Sequence, residues 1–146
     1  MERNLRVYIA GAISNVKNYK EIFKKAEIDL QKIGGVSVFN PAIIPDKNGW
    51  EYDDYIAVSK AMLSRCDAIF LLDNWTDSNG ARSEVLFAIE KGIAIFTCLD
   101  EARTEVLRRK KIEGGLKGDR LKRLQNGKKN RKAKILTDFA SKRNFI

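Results

Sequence analysis

In the stretch "NWTDSNGARSEVLFAIEKG", from Asn74 to Gly92, the residue best placed by its neighbours to do chemistry is Glu84. Ser78, Asn79 and Gly80 are turn formers. Val85, Ala88 and Ile89 then recur at helical spacing and Gly92 closes the run, so a helix is expected from roughly Ala81 to Lys91. Glu84 falls in the first turn of that expected helix. The macrodipole there favours negative charge, so the carboxylate is expected to stay ionised at neutral pH, as suits a nucleophile or an electrostatic stabiliser rather than a proton donor. The free N–H groups at the same helix end, beside Ser78, Asn79 and Gly80, would also favour an anion such as a phosphate. Each feature has a plainer reading: Ser78 as an N-cap, and Glu84 as an ordinary first-turn acid or half of a capping box.

The composition removes several alternatives. Histidine is absent, which excludes an imidazole as base, proton shuttle or zinc ligand. Cys66 and Cys98 lie far apart inside apolar runs and are expected to be buried thiols near strands, with no metal and no disulfide. Any chemistry must run on carboxylates, hydroxyls, tyrosine, lysine, arginine or backbone amides, and neither a cofactor nor a metal is expected.

The elements that must position Glu84 follow from the patterning. "LRVYIAG" (Leu5–Gly11) reads as a strand ending in a turn, and Tyr19, Ile22, Phe23, Ala26, Leu30 and Ile33 trace a helix that Gly34 and Gly35 stop. "VSVFNP" (Val36–Pro41) is a second strand leading into an irregular loop, because Pro41 pushes Asn40 out of the helical region. From about Glu51 a helix is expected with Tyr55, Val58, Met62 and Cys66 on one face. "DAIFLLD" (Asp67–Asp73) is the continuous apolar run of a central parallel strand, and "IAIFTC" (Ile93–Cys98) is a fourth strand. Strands alternating with helices in this way predict a doubly wound, parallel α/β sheet of four to five strands, Rossmann-like or flavodoxin-like in its three layers.

In such a sheet ligands bind beyond the carboxyl ends of the strands. Three loops belong there: "AGAISN", "NPAIIPDKNGW" and "DNWTDSNGARSE". The first carries Gly11, Ser14 and Asn15 but no GxGxxG fingerprint, so a dinucleotide site is poorly supported.

"VYIAGAIS", "FNPA", "RCDAIFLLDNW" and "SNGARSEVLFAIEKGIAI" together resemble, in order and spacing, the nucleoside 2-deoxyribosyltransferase-like superfamily, in particular its small phage and bacterial branch of uncharacterised proteins. The resemblance covers about residues 5–98. It implies cleavage or transfer of the N-glycosidic bond of a nucleoside or nucleoside 5′-monophosphate, with Glu84 as the nucleophile at C1′ and Tyr8 as the tyrosine that positions it. It also implies that Ser78 and Gly80 hold sugar hydroxyls or a 5′-phosphate, that Gly11 lets the ligand approach the backbone, and that the chain is a homo-oligomer. Ser14 and Asn79 join these as substrate-binding candidates from their loops. One position departs from the pattern: Ser59 stands where the family usually has an aspartate that holds the substrate, with Asp53 and Asp54 one to two turns earlier.

The net charge of +9 is unevenly placed: residues 1–100 carry 12 basic and 14 acidic side chains, residues 101–146 carry 16 and 5. The chain therefore reads as a domain over residues 1–112 and a basic C-terminal extension over 113–146, with a last helix expected near Ala133–Lys142. Residues 117–134 are candidates for contact with nucleic acid, which would weaken steeply with salt, although the extension lacks a stacking platform of aromatics. No apolar run is long enough to span a membrane, and "MERNLRVYIAG" lacks the features of a signal peptide, so a cytoplasmic protein is expected. Two other readings stand beside the enzyme: a catalytically silent nucleotide-binding module, and a nucleic-acid accessory protein acting through the extension.

Overall fold

The computed structural model describes residues 3–45, 48–113 and 135. The chain alternates strand and helix: β1 (Leu5–Ala10), α1 (Tyr19–Gln31), β2 (Val36–Phe39), α2 (Tyr52–Leu63), β3 (Ala68–Leu71), α3 (Asn79–Lys91), β4 (Ala94–Phe96) and α4 (Leu99–Glu113). Short 3₁₀ turns at Pro41–Ile43 and Trp75–Asp77 follow β2 and β3. The four strands form one parallel sheet in the order β2-β1-β3-β4. The winding reverses between β1 and β3, which makes the crevice beyond their carboxyl ends the switch point where such folds bind ligands.

Side chains alternate along β1, and both faces are covered. Val7 and Ile9 face a cluster with Phe23 and Leu30 of α1 and Ala102 and Val106 of α4. Tyr8 and Ala10 face the opposite cluster with Leu63 of α2 and Val85 and Ala88 of α3. Ile135, from the basic extension, is buried in this second cluster. The rest of the expected helix near Ala133–Lys142, and the nucleic-acid candidates 117–134, lie outside the described residues.

Polar links fix the strand ends. The Arg3 guanidinium grips Asp67 with two bonds of 2.7 Å, the Arg6 N–H donates to the same carboxylate at 2.9 Å, and Arg109 of α4 lies 3.7 Å away. Burial alone would raise the Asp67 carboxyl; these cationic and N–H partners outweigh it and hold the group below the usual range. At the other edge the Asn40 side chain accepts the Ala42 N–H at 2.9 Å, which orders the turn that Pro41 begins.

Three local expectations are corrected. The buried face of α2 is Ser59 and Leu63, with Ile56 half-buried, whereas Val58 and Met62 are exposed. Of the expected stripe, Cys66 is buried and Tyr55 half-buried, but Val58 and Met62 yield their places to Ser59 and Leu63, because a serine occupies a core-facing position and hydropathy alone misassigns it. Strand β4 ends at Phe96, before Cys98: Thr97 donates through its N–H and its hydroxyl to Glu101, and the exposed Cys98 thiol donates to the same carboxylate at 3.3 Å. Of the two cysteines expected to be buried, only Cys66 is, and burial pushes its thiol up to about 11. Helix α3 starts at Asn79, two residues before Ala81, so Glu84 falls in its second turn.

Candidate functional site

At the switch point the loops after β1, β2 and β3 and the first turns of α2 and α3 enclose a cleft of about 410 Å³. Gly11 and Ser14 come from the first loop, Pro41 and Ala42 from the second, and Ser78, Gly80 and Glu84 from the start of α3. Helix α2 contributes Tyr52, Tyr55 and Ser59. Six of the expected site residues are thus brought to one cavity: Gly11, Ser14, Ser59, Ser78, Gly80 and Glu84.

Each is held for a physical reason. The Ser78 hydroxyl accepts the Ala81 N–H at 3.1 Å and is the N-cap of α3, so its plainer reading holds even though it also lines the cleft. Gly11 is required by packing: a Cβ there would stand 2.6 Å from Leu72 Cδ1 and 3.1 Å from the Asn74 side-chain oxygen. That Asn74 oxygen accepts the Ala12 N–H at 3.0 Å, binding the loop after β1 to the loop after β3. Gly80 sits under α2, where a Cβ would meet the Tyr52 hydroxyl at 2.9 Å. Asn79 lies elsewhere: it is exposed, its side chain accepts from Arg82, and it does not line the cleft.

Glu84 is buried, at 8% exposure. The expectation of a dipole-stabilised, fully ionised carboxylate is corrected on two counts. Its second-turn position is outside the reach of the helix end, where the macrodipole acts, and burial disfavours the charged form. Desolvation raises the carboxyl to about 7, with the Tyr8 hydroxyl and the Lys60 charge pulling the other way.

Tyr8 is fully buried and its ring stacks on Phe39, its register partner on β2, at 5.7 Å between centroids. Its hydroxyl makes no hydrogen bond of ordinary geometry among the described residues. It nonetheless lies near enough to Glu84 and Ser59 to feel both: burial and then the Glu84 charge push the phenol up, and the Ser59 hydroxyl acts against them. The phenol and the carboxylate are thus electrostatic neighbours beneath the cleft. Tyr8 reaches the cleft through these two neighbours.

Sequence reasoning missed the aromatic wall. Tyr19, Trp50, Tyr52 and Tyr55 line the cleft, with Trp50 64% and Tyr52 56% exposed at its mouth. Periodicity assigns Tyr19 and Tyr55 only to helical stripes, and Trp50 to an irregular loop. The available signal was the density of aromatics in "NGWEYDDY", where solvent-exposed rings have no packing role to account for them. Asp53 and Asp54 do not compensate for Ser59: both are exposed and off the cleft, and Asp54 accepts the Glu51 N–H at 2.8 Å in the capping box of α2. Among the described residues no group of three or more histidine, cysteine or carboxylate side chains could hold a metal ion.

A buried carboxylate and an aromatic wall thus line one cleft at the switch point of a doubly wound, parallel α/β domain. Residues 5–97, from β1 to just past β4, match the family described as "Domain of unknown function (DUF4406)", and the chain belongs to that family. No curated protein and no solved structure matches it. No described helix is long and apolar enough to cross a membrane.

Proposed function

We propose that this protein cleaves or transfers the N-glycosidic bond of a nucleoside or nucleoside 5′-monophosphate, with Glu84 as nucleophile. The observation that carries this reading is a single buried carboxylate, backed by a buried tyrosine hydroxyl, facing a cleft of small-molecule size with an aromatic wall. Sites for compact ligands commonly occupy about 300–1,000 Å³, and stacking on aromatic rings suits a nucleobase. The transition state of N-glycosidic cleavage resembles an oxocarbenium ion, which a carboxylate fixed beneath C1′ stabilises and can trap as a glycosyl ester. Water then completes hydrolysis; a second base completes transfer. The resemblance in "SNGARSE" and "VYIAG" supports the same two residues, Glu84 and Tyr8. Free base released from a panel of ribo- and deoxynucleosides and their monophosphates is the direct measurement. Wild type should release base and Glu84→Ala should not; equal release from both, or none from any substrate, rejects the reading.

The second reading is a nucleotide-binding module without turnover. It rests on Ser59, which is buried at the cleft where the resembling family carries an acid, with no carboxylate from α2 in its place. It predicts thermal stabilisation by nucleosides with no product formed.

A further inference from the structure

We propose that the cleft acts on nucleosides whose base carries a formal positive charge, such as a pyridinium or an N-alkylated purine. This rests on the glycosidic reading above and narrows its substrate class.

The argument starts from the proton that a neutral base needs. When a neutral nucleobase leaves C1′, the departing nitrogen gains an electron pair and must be protonated, which glycosidases arrange with a second acid. Among the described residues that line this cleft, Glu84 is the only carboxyl group, and it is needed as the nucleophile. The other candidate donors are serine hydroxyls and phenols, all weak acids. Tyr52 is made weaker still, because burial, Glu84 and Asp53 each hold its phenol above the ordinary value.

A cationic base needs no such proton. The C1′–N bond breaks with its electron pair moving to the ring nitrogen, which cancels the positive charge, while the Glu84 carboxylate forms an ester to C1′. Water then adds to C1′, the ester C–O electron pair returns to Glu84, and the water proton goes to solvent.

The walls fit the same charge. Tyr19, Trp50, Tyr52 and Tyr55 bring four aromatic rings to one cleft, and no described residue lining it is Lys or Arg. Faces of Trp and Tyr attract cations through the ring quadrupole, as in aromatic cages that hold quaternary ammonium groups. A cation beside Glu84 also favours the ionised carboxylate that burial otherwise resists.

The test uses the full chain and two pairs of probes. In turnover, nicotinamide riboside and 7-methylguanosine are compared with uridine and guanosine, each rate divided by the uncatalysed rate of the same compound. In binding, 1-methylnicotinamide is compared with neutral nicotinamide by calorimetry, in wild type, Trp50→Leu and Tyr55→Leu. Trp50 is largely exposed, so its replacement spares the core and carries the test if Tyr55→Leu does not fold. The cationic substrates should show the larger rate enhancement, and the cation should bind more tightly than nicotinamide, with that preference falling about tenfold in Trp50→Leu. Equal or greater enhancement for uridine and guanosine, or equal binding of the two nicotinamides, overturns the charge inference while leaving the glycosidase in place. No turnover of the four while a neutral deoxynucleoside or monophosphate of the panel above is cleaved likewise overturns the charge inference alone; no turnover of any compound rejects both.

Discussion

Tyr8 and Glu84 come from opposite ends of the chain's first ninety residues and lie together at the floor of the cleft: the phenol is fully buried and the carboxylate 8% exposed. Strand β1 directs Tyr8 to the α2–α3 side of the sheet, and the second turn of α3 brings Glu84 down onto it. The pair sets both the ionisation of the site and its cost to the fold.

That cost has a sign. The Glu84 carboxyl titrates near 7 in the folded protein, against 4.5 for a free side chain. The folded state therefore holds this proton more tightly than the unfolded state does. Its contribution is fully favourable below about pH 4.5 and is lost as pH rises to about 7. Glu84→Gln removes the titration. Denaturation at pH 8 should find the variant more stable than wild type, on the order of 3 kcal/mol from the size of the shift, less the cost of any amide hydrogen bond left unmade. At pH 4 most of that advantage should vanish. A constant difference at both pH values would show that Glu84 is not titrating in this window. Turnover by wild type should rise with pH through about 7, since the nucleophile is the ionised form.

Tyr8→Phe separates catalysis from stability. The hydroxyl has no ordinary hydrogen-bond partner among the described residues, so deleting it should change stability by less than about 1 kcal/mol, and urea titration is expected to give nearly coincident curves. Without the donor, nothing from β1 supports the carboxylate as charge shifts during reaction. Base release should fall roughly 10–100-fold, the worth of one hydrogen bond to a charged group. A large loss of stability would mean that the hydroxyl is structural instead.

Much of this arrangement was legible in the sequence, for uneven reasons. The continuous apolar run in "DAIFLLD" and the helix signals ending in Gly34, Gly35 and Gly92 define the alternation of a parallel sheet, and the sheet has the four strands so identified. Gly92 adopts the left-handed φ of 71° that a helix stop of this kind demands. Periodicity failed at Ser59, where a polar side chain on a buried face shifted the apparent stripe of α2 by one residue. It also misjudged Glu84: a two-residue error at the start of α3 changed an expected dipole-stabilised charge into a buried one. The aromatic wall went unread because Trp50 and Tyr52 are exposed and obey no core periodicity.

Gly11 tests how the two loops are joined. In Gly11→Ala the added methyl group would stand 2.6 Å from Leu72 Cδ1 and 3.1 Å from the Asn74 oxygen that accepts the Ala12 N–H. Relief requires Leu72 and the Asn74 side chain that joins the loops to shift, so a loss of about 1–3 kcal/mol is expected, seen as a lower midpoint in thermal melts. Ligand binding should weaken as well, because both loops border the cleft. Unchanged stability would mean that Leu72 can repack without moving the loop.

Ser59→Asp links the missing acid to the choice of substrate. The new carboxyl group would sit at a buried position close to the Tyr8 hydroxyl and share the cleft with Glu84. Two carboxyl groups in one low-dielectric site disfavour double ionisation, so at neutral pH one keeps its proton and becomes the donor that the described lining of the wild-type cleft lacks. Neutral nucleosides should then gain turnover, about 10²-fold for a positioned general acid, while nicotinamide riboside, whose base leaves without a proton, should gain little. The substitution is expected to lower stability by roughly 1–3 kcal/mol, as for any polar group newly buried, so both rates are measured well below the melting temperature of the variant. An equal gain on neutral and cationic substrates would assign the new carboxylate to substrate binding, and proton delivery would then not be what limits the wild-type protein.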